Sequence, residues 1–139
     1  MFSESEYFLQ EVYSPFSSAQ PDSQTNNLFR KTIESSIIYS KEKDISITIL
    51  LVPSKEEVYE WVLNDLKPWT SKVCKSPLSS VIQNTCAENN VKYLDLKPYL
   101  IQKSKEYYMN EENFIYWRFD THLNNVGNEL VADFISRNS

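Results

Sequence analysis

Glycine is almost absent from this sequence. Its 139 residues include a single glycine, Gly127, where average usage would supply roughly ten. A Walker loop, a dinucleotide-binding fingerprint and a glycine-flanked serine elbow all need glycine at fixed positions, because the backbone there makes tight turns or close approaches. The sequence therefore excludes these nucleotide-binding and nucleophile motifs.

Cysteine and histidine are scarce too. Two cysteines and one histidine are too few for a zinc finger or a disulfide-rich scaffold. Cys74 and Cys86 are compatible with a disulfide of an extracytoplasmic protein and equally with two reduced thiols, so the compartment stays open. We expect no cofactor and no metal.

Basic charge and long apolar runs are missing as well. The net charge of −5 and the pI near 4.9 argue against a nucleic-acid partner, because phosphate binding needs a basic surface. No run approaches the roughly twenty apolar residues of a membrane span. Residues 1–10 carry acidic but no basic side chains, which is unlike a secretory signal peptide.

The sequence has enough apolar and aromatic residues to form a buried core. Apolar residues make up 41% of the sequence and aromatic residues 14%. Residues 1–27 are interpreted as an irregular N-terminal segment and a turn-rich connector. From residue 28 a four-residue apolar spacing predicts a helix that ends near Lys43, capped by Asn26 or Asn27.

Helices then alternate with short apolar strands. The uncharged run 45–52 and the shorter run 91–96 predict two buried strands. Further helices are predicted after Ser54, from Pro77, from Pro98 and around 126–135. This order predicts an α/β fold with parallel strands. Two strands are fewer than the usual five or six, so we expect part of a larger sheet, with exposed edges that favour self-association.

The most informative stretch for chemistry joins Asp120 to the only histidine, His122. The pair follows a strand-like segment and precedes a helix, where α/β sheets place their active sites. A carboxylate that orients an imidazole, with the imidazole taking a proton from a nucleophile, is the base half of a hydrolytic triad. The alternative is a capping aspartate beside an exposed histidine.

Three segments resemble the SGNH hydrolase superfamily, in particular its alginate O-acetyltransferase-related group. In chain order they are LLVPSKEEVYEW, YLDLKPYL and DTHLNNVGNELVADFI. The resemblance covers roughly residues 45–137. It implies a flavodoxin-like three-layer α/β/α domain over residues 28–139, of which this chain holds the C-terminal portion. It also implies a cell-envelope or periplasmic setting.

The resemblance implies roles for two residues. His122 is the expected general base and Asp120 the carboxylate that holds its ring. The chain departs from the family because it has no Gly-Asp-Ser block and no glycine before the histidine, so the nucleophile and the oxyanion hole are missing. The expected function is a fragment of an acyl-ester hydrolase or O-acetyltransferase for an O-acylated carbohydrate, inactive without the complementary part of its domain.

Two other functions are open. One is a non-catalytic SGNH-like module that binds carbohydrate or protein, and the other is a metal site at Asp120 and His122, which would need distant carboxylates. Trp117 and Arg118 flank the pair and are candidate substrate-binding residues.

Nearby residues are assigned structural roles. We expect Lys55 on a helix surface and Ser54 in a capping box. Asp95, which ends a predicted strand, is expected in a turn or as a cap. We expect Asn124 or Asn125 as a helix cap and Gly127 at a close backbone approach.

Overall fold

The computed structural model describes residues 23–65, 77–111 and 113–138. The helices of this part are α1 (Ser23–Glu42), α2 (Lys55–Val58), α3 (Glu60–Asp65), α4 (Pro77–Glu88), α5 (Lys97–Glu111) and α6 (Asn125–Asn138), and its strands are β1 (Thr48–Leu51) and β2 (Lys92–Asp95). They divide into two compact units. We call residues 23–51 and 77–95 the α/β unit, and residues 52–65, 96–111 and 113–138 the loop unit.

The α/β unit contains a two-stranded parallel sheet. Thr48 is opposite Lys92 and Leu51 is opposite Asp95. The mixed α/β class and the parallel pairing predicted from the sequence are therefore confirmed. Both strands are shorter and less buried than their apolar runs predict. The flavodoxin-like three-layer arrangement stays a prediction, as does the domain boundary at residue 28.

Both helices that precede these strands end in the same way. Asp44 and Asn90 adopt the left-handed conformation, with φ of 56° and 57°. The amide of Ile45 reaches the carbonyl of Ser40, and the amide of Val91 reaches the carbonyl of Cys86. Each is the Schellman arrangement that usually carries glycine at the left-handed position. Asp and Asn tolerate this conformation better than other non-glycine residues, which lets a glycine-poor chain make both connections.

Helix α1 begins earlier than the sequence predicts. It starts at Ser23 rather than near residue 28, so Asn26 and Asn27 lie inside the helix and do not cap it. The predicted apolar face is also only partly correct, since Ile37 is fully buried while Phe29 is exposed. Packing of α1 against α4 overrides the weak helix propensity of the Ser, Thr and Asn residues in its first turns.

The loop unit has an aromatic core. Tyr59 is fully buried and its ring meets the rings of Trp61, Phe114 and Tyr116 at centroid distances of 5.9–6.3 Å. The indole of Trp61 also donates a hydrogen bond to the hydroxyl of Ser104 on α5, at 3.1 Å. These contacts join α2, α3 and α5 to the segment that leads into the candidate site. No helix of the described residues is long and apolar enough to cross a membrane.

Candidate functional site

The segment that carries Asp120 and His122 is a narrow loop closed by backbone pairing. Tyr116 forms an isolated antiparallel bridge with Leu123, and the amide of Trp117 donates to the carbonyl of His122 at 2.9 Å. Tyr116, in the strand-like segment that precedes Asp120, thus pairs with Leu123, two residues before α6. We call residues 117–122 the site loop.

Lys55 binds the backbone of the site loop through its buried ammonium group. Its side chain is only 2% exposed, and its Nζ donates to the carbonyl oxygens of Trp117, Arg118 and Asp120 at 3.0, 3.0 and 3.1 Å. An ammonium group has three N–H donors, and each of them has a backbone acceptor here. The prediction of a helix-surface lysine is therefore wrong.

The position of Lys55 follows from the start of its helix. The Ser54 hydroxyl accepts the Glu57 amide at 3.3 Å and the Glu57 carboxylate accepts the Ser54 amide at 3.1 Å, which is the predicted capping box. The capping box fixes the backbone of the first turn of α2. The Lys55 side chain therefore projects from this turn in one direction, toward the site loop. An ion pair between Lys97 and Glu57, at 3.1 Å, ties the same turn to α5.

Asn124 and Gly127 support the loop on its other side. The Asn124 side chain accepts the Gly127 amide at 2.9 Å, as a helix cap does, and donates to the Phe114 carbonyl at 2.5 Å. A Cβ atom at Gly127 would lie 2.1 Å from the Ile115 carbonyl oxygen. The predicted cap and the predicted close backbone approach are both present, and together they seat α6 against residues 114–116.

Asp120 and His122 do lie in contact. The Asp120 carboxylate accepts the His122 amide at 2.7 Å and also contacts Nδ1 of the same residue. The amide hydrogen bond, with a smaller effect from the ring, holds the pKa of the Asp120 carboxyl below its ordinary value. This is a local turn in which an Asp side chain binds the backbone two residues on.

The solvent exposure of Asp120 and His122 bears on whether they could act in acid–base catalysis. The His122 side chain is 81% exposed and that of Asp120 is 48% exposed. Among the hydrogen bonds of the described residues, the ring contacts Asp120 and no hydroxyl. Asp120 can orient the imidazole, but the free ring nitrogen faces water rather than a positioned alcohol. The catalytic roles of both residues stay predictions.

The Trp117 and Phe119 side chains of the loop are exposed, whereas Arg118 is partly buried. Trp117 is 52% exposed, and the Arg118 guanidinium lies 5.9 Å from the ring centre of Phe119, which is itself 71% exposed. Trp117 and Arg118 are predicted from the sequence as binding residues, whereas Phe119 is not. The signal was available, because an aromatic residue inside a polar Arg-x-Asp stretch has no periodic core position to fill. Substrate binding by Trp117 and Arg118 stays a prediction.

Two buried tyrosines support the loop from the core. The Tyr59 hydroxyl accepts the Ile115 amide at 3.0 Å, and the Tyr116 hydroxyl donates to the Pro53 carbonyl at 2.7 Å. Burial raises the pKa of Tyr59 to about 12 and raises that of Tyr116 well above its ordinary value of 10. Both groups are therefore neutral at physiological pH and serve as fixed hydrogen-bonding partners.

The described part of the chain contains neither a cluster of metal ligands nor an exposed thiol. No three His, Cys, Asp or Glu side chains gather there as a metal site would require. Cys86 is a buried free thiol whose pKa burial raises, and Cys74 lies outside the described residues. Asp95 is the last residue of β2 in the α/β unit, and its turn or capping role stays a prediction.

Comparison with known proteins gives a partial match. The chain is similar to dynamin-like protein 2 of Campylobacter jejuni subsp. jejuni serotype O:23/36 (strain 81-176), with 38% identity over 92 residues. The match covers 58% of this chain and 14% of the relative, so the chain spans about one seventh of that protein. No protein-family profile and no solved structure matches the chain.

This match corrects the expected enzyme class. The classification of the chain as a hydrolase, esterase or O-acetyltransferase of the SGNH type is wrong, because the relative is a dynamin-like protein and not an esterase. The three resembling segments were short, and two of them are accounted for locally. The Ser54 capping box explains the first, and the Asn124 cap with Gly127 explains the last.

Proposed function

We propose that the chain is a non-catalytic protein-binding module, equivalent to a segment of a larger dynamin-like protein, and that the site loop is its recognition element. The partial match in sequence supports the equivalence with a segment of a dynamin-like protein. The second part rests on one observation: the buried Lys55 donates hydrogen bonds to three carbonyl groups of the loop.

The hydrogen bonds from Lys55 order the loop before any partner binds. Ordering a flexible loop at an interface costs conformational free energy, and a loop that is already ordered avoids that cost. Here the order comes from backbone carbonyls, so the side chains of Trp117, Phe119 and His122 are not needed to maintain it. They are exposed on a supported backbone, which is the usual arrangement of recognition loops on rigid scaffolds.

The side chains indicate the chemistry of the partner. Trp117 and Phe119 supply two large apolar surfaces, and tryptophan and arginine are enriched among residues that dominate interface energies. Asp120 and His122 belong to the same loop and supply polar side chains in contact with each other. A protein surface with an apolar pocket and a polar rim is the matching partner. The openness of the loop supports binding over catalysis, because catalytic groups work best where water is excluded.

The test uses a photo-crosslinking amino acid placed at position 119 or at position 109 in the full chain, in cells that produce the protein. Met109 is the matched control, since it is an apolar side chain that is 72% exposed on α5. We expect one protein to be crosslinked from position 119 and not from position 109. Equal crosslinking from both positions would contradict the proposal.

Affinity for that purified protein then separates recognition from mere proximity. Phe119→Ala is expected to weaken binding about tenfold or more, as truncation of an interface anchor does. Met109→Ala should leave the dissociation constant unchanged within about twofold. If Phe119→Ala binds as tightly as the wild type, the site loop is not the recognition element.

A further inference from the structure

The outer edge of β1 is a second feature of interest, and it lies in the α/β unit. The sheet order is β1-β2, and no other strand among the described residues pairs with β1. A strand at the edge of a sheet presents unpaired N–H and C=O groups that can accept another strand. Each strand therefore has an edge to which a further strand could be added, unless its side chains prevent such pairing.

The two strands differ in how they are guarded. β2 has the sequence KYLD, with Lys92 and Asp95 at its ends, and charged residues are a common means of blocking edge pairing. The stretch 45–51, with the sequence ISITILL, has no charged residue and no proline. Its first residue, Ile45, is 57% exposed. A short uncharged, β-branched segment of this kind pairs readily with an identical copy.

Space for incoming side chains lies next to this stretch. A groove of about 660 Å³ is bordered by Ile45 and Ile47 on one side and by the Thr32, Ser36 and Ser40 positions of α1 on the other. The hydroxyls of these three residues donate to carbonyls of their own helix at 2.8–3.0 Å. The donors of these three hydroxyls are thus already used within α1.

We infer that two copies of the chain associate through residues 45–51, antiparallel and related by a two-fold axis beside Thr48. Thr48 is the midpoint of the stretch, so this axis pairs the whole stretch with itself and makes the interface the same on both copies. The absence of charge means that self-pairing meets no like-charge repulsion. The result is a four-stranded sheet in the order β2-β1-β1-β2. This inference is independent of the site loop.

The test exploits the register between Thr48 and Lys92. Thr48→Glu places a carboxylate beside Lys92 within one copy, which favours the folded monomer, but places two carboxylates opposite each other across the two-fold axis. Analytical ultracentrifugation of the full chain should show a dimer for the wild type. The dissociation constant of Thr48→Glu should be at least about tenfold higher, while Thr48→Val should dimerise as the wild type does.

A mixture of variants makes the test specific. Thr48→Lys alone should also dissociate, and an equimolar mixture of Thr48→Glu and Thr48→Lys should recover dimers, because opposite charges then meet at the axis. Circular dichroism of each variant establishes that it is folded. A wild type that is monomeric up to roughly 1 mM overturns the inference, and so does a Thr48→Glu variant that dimerises as well as the wild type. Dimers that Phe119→Ala removes would place the interface elsewhere.

Discussion

The site loop and the edge of β1 expose opposite parts of the polypeptide. In the site loop the backbone is bound, since three of its carbonyls accept hydrogen bonds from Lys55, and the side chains are exposed. Along β1 the side chains of Ile49, Leu50 and Leu51 are partly buried, and one edge of the backbone has no strand partner in the described part of the chain.

This difference indicates two kinds of recognition. Exposed side chains on a fixed backbone can select a partner by shape and chemistry. An exposed backbone edge accepts any compatible strand, so its selectivity depends on what excludes the wrong ones. If this difference holds, changes to the residues that fix the loop backbone should have large effects and changes to its exposed side chains small ones.

Gly127→Ala should destabilise the loop unit most. The added Cβ would meet the Ile115 carbonyl oxygen at 2.1 Å and a Leu123 methyl at 2.8 Å, so the start of α6 has to move away from the segment that leads into the loop. We expect the free energy of unfolding to fall by about 3 kcal/mol or more, measured by urea denaturation followed by tryptophan fluorescence. Ala132→Gly, at an exposed position of the same helix, is the control and should cost about 1 kcal/mol.

Lys55→Met should come next and should release the loop backbone. Three carbonyl groups lose their donor, and hydrogen bonds to a charged group contribute about 1.5–3 kcal/mol each before the gain from not burying an ammonium is subtracted. We expect a net loss of about 2 kcal/mol and faster hydrogen exchange in residues 117–122. The exposed Lys31→Met is the matched control. Unchanged exchange in the loop would show that Lys55 does not hold it.

The pH dependence of stability should report the buried tyrosines beneath the loop. Unfolded tyrosines ionise near pH 10, whereas the folded pKa of Tyr59 is about 12 and that of Tyr116 is also raised. Between these values the unfolded chain binds fewer protons than the folded one, so stability falls as the pH rises above 10 and is fully present below that range.

Tyr59→Phe separates the two consequences of this burial. At neutral pH it should lower the free energy of unfolding by about 1 kcal/mol, because the Ile115 amide loses its acceptor. Above pH 10 the decline should become shallower than in the wild type. Tyr39→Phe, at an exposed ring of α1, controls for the substitution itself, and a decline of unchanged steepness in Tyr59→Phe would contradict the assignment.

His122→Ala should have the smallest effect. Its side chain is largely exposed and contributes nothing to the carbonyl contacts that hold the loop. We expect unfolding curves that overlay those of the wild type. Hydrolysis of p-nitrophenyl acetate should also be equal for both proteins. Saturable hydrolysis that His122→Ala abolishes would instead support an acid–base role for the Asp120–His122 pair.

Local patterns account for the features that the sequence predicts correctly. The Ser54 capping box, the Asn124 cap and the close approach at Gly127 depend on residues a few positions apart or on the properties of one residue. The parallel sheet follows from the alternation of helices with apolar runs. Such features need no knowledge of the tertiary structure, and this is why sequence reasoning reaches them.

Features that depend on distant contacts were missed. Lys55 meets carbonyls that lie 62, 63 and 65 positions further along the chain, and no local pattern encodes such a contact. Phe119 has a local signal in its polar surroundings, but the extent to which its ring is exposed depends on how the loop is held. The contact of Asp120 with His122 follows from their spacing, but whether the ring faces a cleft or open water depends on the surrounding fold.

The left-handed residues Asp44 and Asn90 have a consequence for how related sequences are aligned. Each follows the end of a helix, four residues after the carbonyl that accepts the closing hydrogen bond, and directs the chain toward a strand. Homologues are free to carry glycine, asparagine or aspartate at these two columns with little change in backbone path. An alignment that scores these three residues as interchangeable at helix ends should therefore detect distant members that ordinary substitution scoring separates.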